Sequence, residues 1–171
     1  MAKLLILVRH GKAQSRDLGL VDFERKLTGA GKRALKAWLL KSRDLLAEEK
    51  ADSFELWASP AARTMQTAEV VSKVWGKRID AFPKSPQPVE GLWSGNIAAV
   101  LDLVEGSSAD AVVVCGHNPY IEMMCSLLTG CDITFATGGI AAVRLDESYK
   151  IPRARLLWFV QGPESRNWKR S

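Results

Sequence analysis

The sequence predicts an α/β domain built on a sheet that helices cover on both faces. Three apolar runs, at 4–8, 54–58 and 112–115, are each followed by residues with helical spacing. Apolar runs of this length are typical of strands buried on both faces, and their alternation with helices is typical of a mostly parallel sheet. No internal repeat or linker divides residues 1–171. We therefore expect one domain, with about the last ten residues forming a tail.

The first half of the chain supplies two of these strands and two long helices. The first strand ends abruptly at Arg9, and residues 12–27 are polar and irregular, which predicts a loop. Thr28 is a good N-cap for the helix that follows. The strand at 54–58 leads into Ser59-Pro60, which predicts an N-cap and a first helical residue.

The second half predicts one more parallel strand and then an antiparallel pair. Residues 82–95 are rich in proline and glycine, which predicts a loop, and residues 97–104 have the spacing of a short amphipathic helix. After the third apolar run, Asn118-Pro119 repeats the pattern of a capping residue followed by proline. Residues 140–145 and 154–160 predict two further strands, and the short link between them favours antiparallel pairing.

Composition indicates an ordinary globular protein with a basic surface. Of the 171 residues, 47% are hydrophobic and 25% are charged, and the net charge is +5. A basic protein suits an anionic substrate, but basic residues near the C-terminus, such as Lys169 and Arg170, are equally typical of a solvated tail. We expect neither a nucleic-acid partner nor a membrane partner.

The cysteines and the N-terminus favour a reducing compartment. Cys115, Cys125 and Cys131 form no C-x-x-C pair, and an odd number argues against a disulfide framework. The apolar run before Arg9 is too short for the core of a secretion signal, and no segment approaches the ~18 apolar residues of a membrane span. We therefore expect a soluble cytoplasmic protein.

Both histidines of the sequence lie where apolar runs end. His10 follows the first run directly after Arg9, and His117 follows the third. Arg63 lies in the first predicted turn of the helix after the second run. Because ligands of open α/β sheets bind beyond the carboxyl ends of the strands, we expect these four side chains to meet in one crevice. A lone histidine is more often structural, but two histidines with two arginines favour a functional site.

Two arginines and two histidines suit phosphoryl transfer. Arginine matches phosphate oxygens, and the reaction depends mainly on positioning and charge stabilisation. An imidazole nitrogen can attack phosphorus and form a covalent intermediate. Other chemistries fit less well, because two histidines are too few for a zinc site, no P-loop motif is present, and Ser59 lacks the G-x-S-x-G context. Cys115, at the end of a buried strand, is more typical of a core thiol than of a nucleophile.

Three segments resemble the histidine phosphatase superfamily, which includes the phosphoglycerate mutases. They are residues 7–11, residues 59–68 and Gly116-His117. The small size and three further segments are similar to the SixA-type phosphohistidine phosphatases of that superfamily, namely residues 22–28, 116–119 and 136–141. The resemblance runs in order from about residue 4 to about residue 160, so it spans nearly the whole chain.

The resemblance implies a three-layer αβα fold and gives each of the four residues a role. His10 matches the phosphorylated histidine of the family. Arg9, Arg63 and His117 match its phosphate-binding residues. Neither a metal nor another cofactor is expected. The implied substrate is a phosphorylated protein, for example a histidine phosphotransfer domain.

Two positions bear on how far the resemblance extends. Lys26 stands where related sequences commonly have proline after the arginine. Glu90, in a loop rich in proline and glycine, is the one candidate for the general acid that many relatives use, although exposed loop glutamates are commoner. A missing acid favours phosphohistidine, whose imidazole leaves as a neutral group once its other nitrogen is protonated. An alkoxide leaving group needs a proton in the transition state.

Three functions therefore compete. The leading one is a metal-independent phosphatase that acts on phosphohistidine in a signalling protein. The second is a phosphatase or mutase for a small phosphorylated metabolite, which predicts a covered pocket and a clear general acid. The third is a phosphate-binding module without turnover, which would be favoured if one of the four pocket residues were missing.

Overall fold

A six-stranded sheet forms the centre of the protein, whose structure is a computed structural model that describes residues 4–146 and 154–163. The strands are β1 (Leu4–Arg9), β2 (Phe54–Ala58), β3 (Gln87–Pro88), β4 (Ala111–Gly116), β5 (Ile140–Leu145) and β6 (Ala154–Val160). Their order across the sheet is β3-β2-β4-β1-β5-β6. β1 to β4 are mutually parallel, whereas β5 is antiparallel to both β1 and β6. The predicted α/β sheet, mostly parallel with an antiparallel pair near the C-terminus, is confirmed.

Helices cover both faces of this sheet. They are α1 (Gly29–Glu48), α2 (Ala62–Trp75), α3 (Gly91–Ser94), α4 (Ile97–Gly106) and α5 (Tyr120–Thr129). One core lies between the sheet and α1 with α2, and a second lies between the sheet and α4 with α5. In β1, Leu4, Ile6 and Val8 enter the first core while Leu5 and Leu7 enter the second, because successive strand side chains point to opposite faces. Two cores around one sheet make the three layers that the resemblance implies.

Several predicted boundaries match the structure. β2, β5 and β6 cover the residues that the sequence predicts, and the Thr28 hydroxyl accepts a hydrogen bond from the Gly31 N–H at 2.9 Å, as an N-cap should. The link between β5 and β6 and the predicted tail lie outside the described residues. Within the described ranges, no helix has both the length and the apolar character needed to cross a membrane.

The predicted starts of α2 and α5 are wrong. The helices begin at Ala62 and Tyr120 instead, and neither has a side-chain cap. The two expected caps make other contacts. The Ser59 hydroxyl lies 2.8 Å from Nε2 of His117, and the Asn118 amide donates to Oε1 of Glu122 at 2.6 Å. The Asn118 amide also donates to the Phe135 carbonyl at 3.2 Å, so both expected caps contact residues that are distant in sequence.

Two segments predicted as loops contain short regular elements. Residues 12–27 include 3₁₀ turns at Arg16–Leu18 and Asp22–Glu24. Residues 82–95 include β3 and α3. Pro88 pairs with Ala58 of β2 at the edge of the sheet, where a strand can tolerate a residue without an N–H group.

Candidate active site

The register of the two central strands places both histidines side by side. β1 and β4 pair in parallel with Arg9 opposite Gly116, so the residues that follow leave the sheet together. The backbone N–H of His10 donates to the Gly116 carbonyl at 3.1 Å. The ring centroids of His10 and His117 are 5.3 Å apart. The shared site predicted beyond the strand ends is thus present for these two residues.

Arg63 reaches the same place from the first turn of α2, which follows β2 on the other side of β4. Its side chain is only 4% exposed. The Thr67 hydroxyl accepts a hydrogen bond from the Gly11 N–H at 3.1 Å and donates to the Arg63 carbonyl at 2.7 Å. This link ties the turn that carries Arg63 to the end of β1.

These side chains line a pocket of about 310 Å³. Five of its ten described lining residues are basic, and no carboxylate is among those ten. The basic residues are Arg9, Lys12, Arg16, Arg25 and Arg63, and the others are His10, Ala13, His117, Asn118 and Thr137. Such a lining suits an anion, and arginine is especially suited to phosphate oxygens.

His10 presents one ring nitrogen to this pocket as a potential nucleophile. Its Nδ1 lies 2.8 Å from the Gly11 carbonyl oxygen. Because a carbonyl oxygen can only accept, Nδ1 holds the ring proton in the neutral form and Nε2 carries the free electron pair. Burial lowers the pKa of His10 to about 4, the hydrogen bond to Gly11 opposes this, and the charges of Arg63 and Arg9 add to the lowering. The ring is therefore neutral at pH 7.

His117 is held through its Nε2, whereas His10 is held through its Nδ1. That nitrogen contacts the Ser59 hydroxyl at 2.8 Å, while Nδ1 is buried without a hydrogen-bond partner. Burial, followed by the charges of Arg63 and His10, lowers the pKa of His117 to about 3. If the Ser59 hydroxyl donates to Nε2, then Nδ1 carries the proton and offers it to a bound anion.

Further N–H groups of the arginines lack protein partners. Nε of Arg9 and Nε of Arg63 are buried and make no hydrogen bond, although the same guanidinium groups donate elsewhere. One Arg9 nitrogen donates to the Phe135 carbonyl at 2.5 Å. Buried donors are nearly always satisfied, so these two, together with Nδ1 of His117, indicate where an oxyanion would bind.

Asp22 and Arg25 complete the site, and neither was singled out as a site residue from the sequence. The Asp22 carboxylate accepts from Arg63 at 2.9 Å and from Arg25 at 2.8 Å. Burial raises the pKa of Asp22, but the hydrogen bonds from Arg25 and Arg63 outweigh that effect and leave the pKa below its ordinary value. Opposite charges three residues apart, before a predicted helix, were the only local sign of this pair.

Comparison with known proteins supports the family resemblance. Residues 5–85 match the family model of the histidine phosphatase superfamily (branch 1). The match covers slightly less than half of the chain, so the first half of the chain is similar to this superfamily. The four predicted residues lie together in one pocket, and their individual roles stay predictions. No protein of curated function matches the chain.

Solved structures with the same fold include members with different substrates. A proposed phosphohistidine phosphatase SixA from Agrobacterium tumefaciens has a TM-score of 0.72 and 23% identity, over 94% of this chain and 98% of that one. The protein histidine phosphatase SixA, in complex with tungstate, has a TM-score of 0.71 and 23% identity, over 92% and 96%. Phosphoserine phosphatase from Entamoeba histolytica, in complex with 3-phosphoglyceric acid, has a TM-score of 0.56 and 16% identity, over 96% and 98%. At these identities the likeness shows the fold.

Lys26, at the position where the sequence analysis notes that proline is common, uses its backbone N–H group, which proline lacks. Its backbone N–H donates to the side-chain oxygen of Gln14 at 2.9 Å, and its carbonyl accepts from the Gln14 N–H at 2.8 Å. This small ladder closes the loop that carries Asp22 and Arg25. Lys26 thus supports the loop, and it is not among the described residues that line the pocket.

The structure does not bring Glu90, the candidate general acid, into the pocket. Glu90 is exposed at the start of α3 and is absent from the described lining residues. Trp93 of α3 reaches the site instead, with its ring 5.5 Å from the His117 ring and 5.8 Å from the Arg63 guanidinium.

Among the described residues, no group of three or more His, Cys, Asp or Glu side chains could hold a metal ion.

Proposed function

We propose that the protein is a phosphohistidine phosphatase in which His10 accepts the phosphoryl group from a phosphorylated protein. The observation that carries this proposal is the contact between Nδ1 of His10 and the Gly11 carbonyl at 2.8 Å. It directs the free electron pair of Nε2 into a pocket lined by five basic residues. The low pKa of His10 keeps that electron pair available at pH 7.

The first step transfers the phosphoryl group between two imidazoles. Nε2 of His10 attacks phosphorus, the P–N bond of the substrate breaks, and its electron pair returns to the substrate ring. That ring leaves neutral because its other nitrogen holds a proton. Phosphorylated His10 is then in the state that the substrate ring had, since its proton stays on Nδ1 and is donated to the Gly11 carbonyl in a hydrogen bond. Arg9, Arg63 and His117 offer N–H groups to the phosphoryl oxygens.

The second step releases inorganic phosphate. A water oxygen bonds to phosphorus, the P–N bond to His10 breaks, and its electron pair returns to Nε2. Phosphate leaves as H₂PO₄⁻ and then equilibrates with solvent, so His10 ends as it began, with its proton on Nδ1. Both steps balance without a proton donor in the pocket.

The lack of a placed acid favours phosphohistidine over phosphate esters. An ester releases an alkoxide, which needs a proton in the transition state. The described pocket lining contains no carboxyl group, and the pKa of His117, about 3, makes its ring neutral at pH 7. The similar SixA structures add support, one of them solved with tungstate, a tetrahedral oxyanion like phosphate.

Parallel assays of the full chain test this proposal. Turnover would be measured on a histidine-phosphorylated phosphotransfer domain, a phosphoserine peptide and a panel of small phosphorylated metabolites, each with and without a chelator. We expect the phosphohistidine domain to have the highest kcat/KM, and the chelator to leave it unchanged. Faster turnover of a metabolite would replace the proposal with the small-metabolite function. Phosphate binding without turnover of any substrate would favour the binding module.

A further inference from the structure

The loop between β1 and α1 displays an unusual group of apolar side chains. Leu18, Leu20, Val21 and Phe23 are 62%, 42%, 63% and 38% exposed. They are half of the large hydrophobic residues that are exposed in the described ranges, and they fall within six consecutive positions. We call these four residues the loop patch. Contiguous exposed apolar surface typically marks an interaction site.

The loop patch adjoins the phosphate pocket. Arg16, two residues before the patch, lines the pocket, and Asp22, inside the patch sequence, is paired with Arg63. The ring of Phe23 packs against Trp93 with centroids 5.1 Å apart, and Trp93 packs against His117. An unbroken series of contacts therefore leads from the patch to the site of chemistry.

The loop that carries the patch is well supported despite its exposure. The Ser15 hydroxyl accepts from the Asp17 N–H at 3.2 Å, and Arg25 donates to the Gln14 carbonyl at 2.5 Å. Gly19 has φ of +67°, a left-handed conformation that glycine adopts without strain. These contacts fix the backbone, so the apolar side chains are held outward by the structure.

We propose that the loop patch is the docking surface for the protein that carries the phosphohistidine, an acidic folded domain with apolar side chains around its modified histidine. This inference rests on the proposed function. A histidine side chain is short, so a phosphohistidine in the pocket brings the surface of its own domain against the pocket rim, where the patch lies. Five basic lining residues attract an acidic domain. A small metabolite would fill the pocket without touching the patch.

A second apolar surface is less suited to this partner. A groove of about 940 Å³ between α4 and α5 has an apolar floor, but it also holds acidic side chains, among them Asp102, Glu105 and Asp132. These carboxylates would repel an acidic domain. Leu127 lines this groove and is 62% exposed, as Leu18 is, which makes it a matched control.

The test compares a protein substrate with a small one. Leu18→Ser with Val21→Ser removes apolar surface at two positions outside the pocket lining, and Leu127→Ser with Met123→Ser removes a similar amount in the groove between α4 and α5. kcat/KM is measured on a histidine-phosphorylated phosphotransfer domain and on an aryl phosphate. We expect the loop-patch variant to lose about tenfold or more on the domain, through KM, and to stay within about twofold on the aryl phosphate. The control variant should match the parent on both.

Two variants with opposite charges at one position test whether the partner is acidic. Val21→Glu and Val21→Lys both remove the apolar group, and they differ in charge. We expect Val21→Glu to raise KM for the phosphorylated domain more than Val21→Lys does, with both close to the parent on the aryl phosphate. Equal KM values for the two variants would overturn the acidic partner. Thermal unfolding of every variant shows whether the fold is retained.

The remaining outcomes separate the two proposals. Unchanged kcat/KM of the loop-patch variant on the domain, with the parent active, would overturn the docking surface and leave the proposed function standing. An equal loss on both substrates would mean that the loop shapes the pocket and does not dock a partner. A loss confined to the Leu127 control would assign docking to the groove. A parent that hydrolyses the aryl phosphate and no phosphohistidine domain would overturn the proposed function, and the docking surface with it.

Discussion

The floor and the rim of the pocket are held by different interactions. The floor consists of His10 and His117, and Ser59 supports His117 through a hydrogen bond; all three follow paired strands and are fixed by the register of the sheet. The rim is the loop 12–28, which is fixed by side chains, above all by the Asp22 carboxylate between two arginines. We infer that the sheet positions the reacting groups and that the loop determines which molecules can reach them. The five predictions below test that division.

Loss of His10 should have the largest effect, because it removes the proposed nucleophile from the floor. We expect His10→Ala to lower kcat by at least about a thousandfold on every substrate, with the fold retained. Brief incubation with labelled phosphohistidine domain should label the parent and leave the variant unlabelled. Turnover within tenfold of the parent would reject His10 as nucleophile.

Arg63 joins the floor to the rim, so its loss should weaken binding of the anion. Arg63→Ala should weaken competitive inhibition by phosphate or vanadate by about 2–4 kcal/mol, the cost of removing one partner of a buried charged contact. Arg78→Ala removes the same charge from an exposed site and should leave inhibition unchanged. Equal inhibition of parent and Arg63→Ala would take Arg63 out of the site.

The free energy of unfolding should depend on pH through the two histidines of the floor. The pKa values of His10 and His117, about 4 and about 3, lie below the ordinary 6.5, so the unfolded chain takes up protons first on acidification. The free energy of unfolding should therefore fall as the pH goes from about 6.5 towards 4, and His10→Ala should flatten that fall. NMR titration of the two histidine rings checks this directly, and inflections near 6.5 would contradict it.

The Asp22 carboxylate should contribute modestly to stability. Asp22→Asn leaves Arg63 and Arg25 without a charged partner, and we expect the free energy of unfolding to fall by about 1 kcal/mol, since Asp22 is partly exposed and screened by solvent. Asp17→Asn in the same loop is the control. The pKa of Asp22 is lowered, so its contribution is present at neutral pH and lost as the pH falls through that pKa. Urea unfolding at pH 7 measures the difference, and equal stability of the two variants would mean that the rim does not depend on this pair.

Glu90 should have the smallest effect, since it lies outside both floor and rim. We expect Glu90→Gln to keep kcat/KM within about twofold on a phosphohistidine domain and on an aryl phosphate. Abolished turnover in this variant would show that the loop supplies an acid, and the small-metabolite function would then be the better proposal.

The floor was largely predictable from the sequence because its signals are local. Each apolar run that becomes a strand of the floor is followed closely by a functional side chain, and the parallel order brings those ends together. The rim was less predictable. Asp22 pairs with Arg63, 41 positions away, and Trp93 makes an edge-to-face contact with His117; neither contact leaves a periodic pattern in the sequence.

The errors at Ser59 and Asn118 have the same origin. Both residues carry strong local signals for a helix cap, but Ser59 contacts His117 and Asn118 contacts Phe135, each distant in sequence. In the sequence, a serine that caps a helix and a serine that orients a histidine look alike. Only the register between β2 and β4, which places Ser59 beside His117, distinguishes them.

The full burial of Cys115 also affects how the protein meets oxidants. Burial raises the pKa of this thiol and so suppresses the reactive thiolate, and the described pocket lining contains no cysteine. Peroxide can reach the exposed Cys131, beyond the end of α5, but no sulfur takes part in the proposed transfer. The proposed transfer through His10 would therefore continue under oxidising conditions that inactivate a thiolate nucleophile.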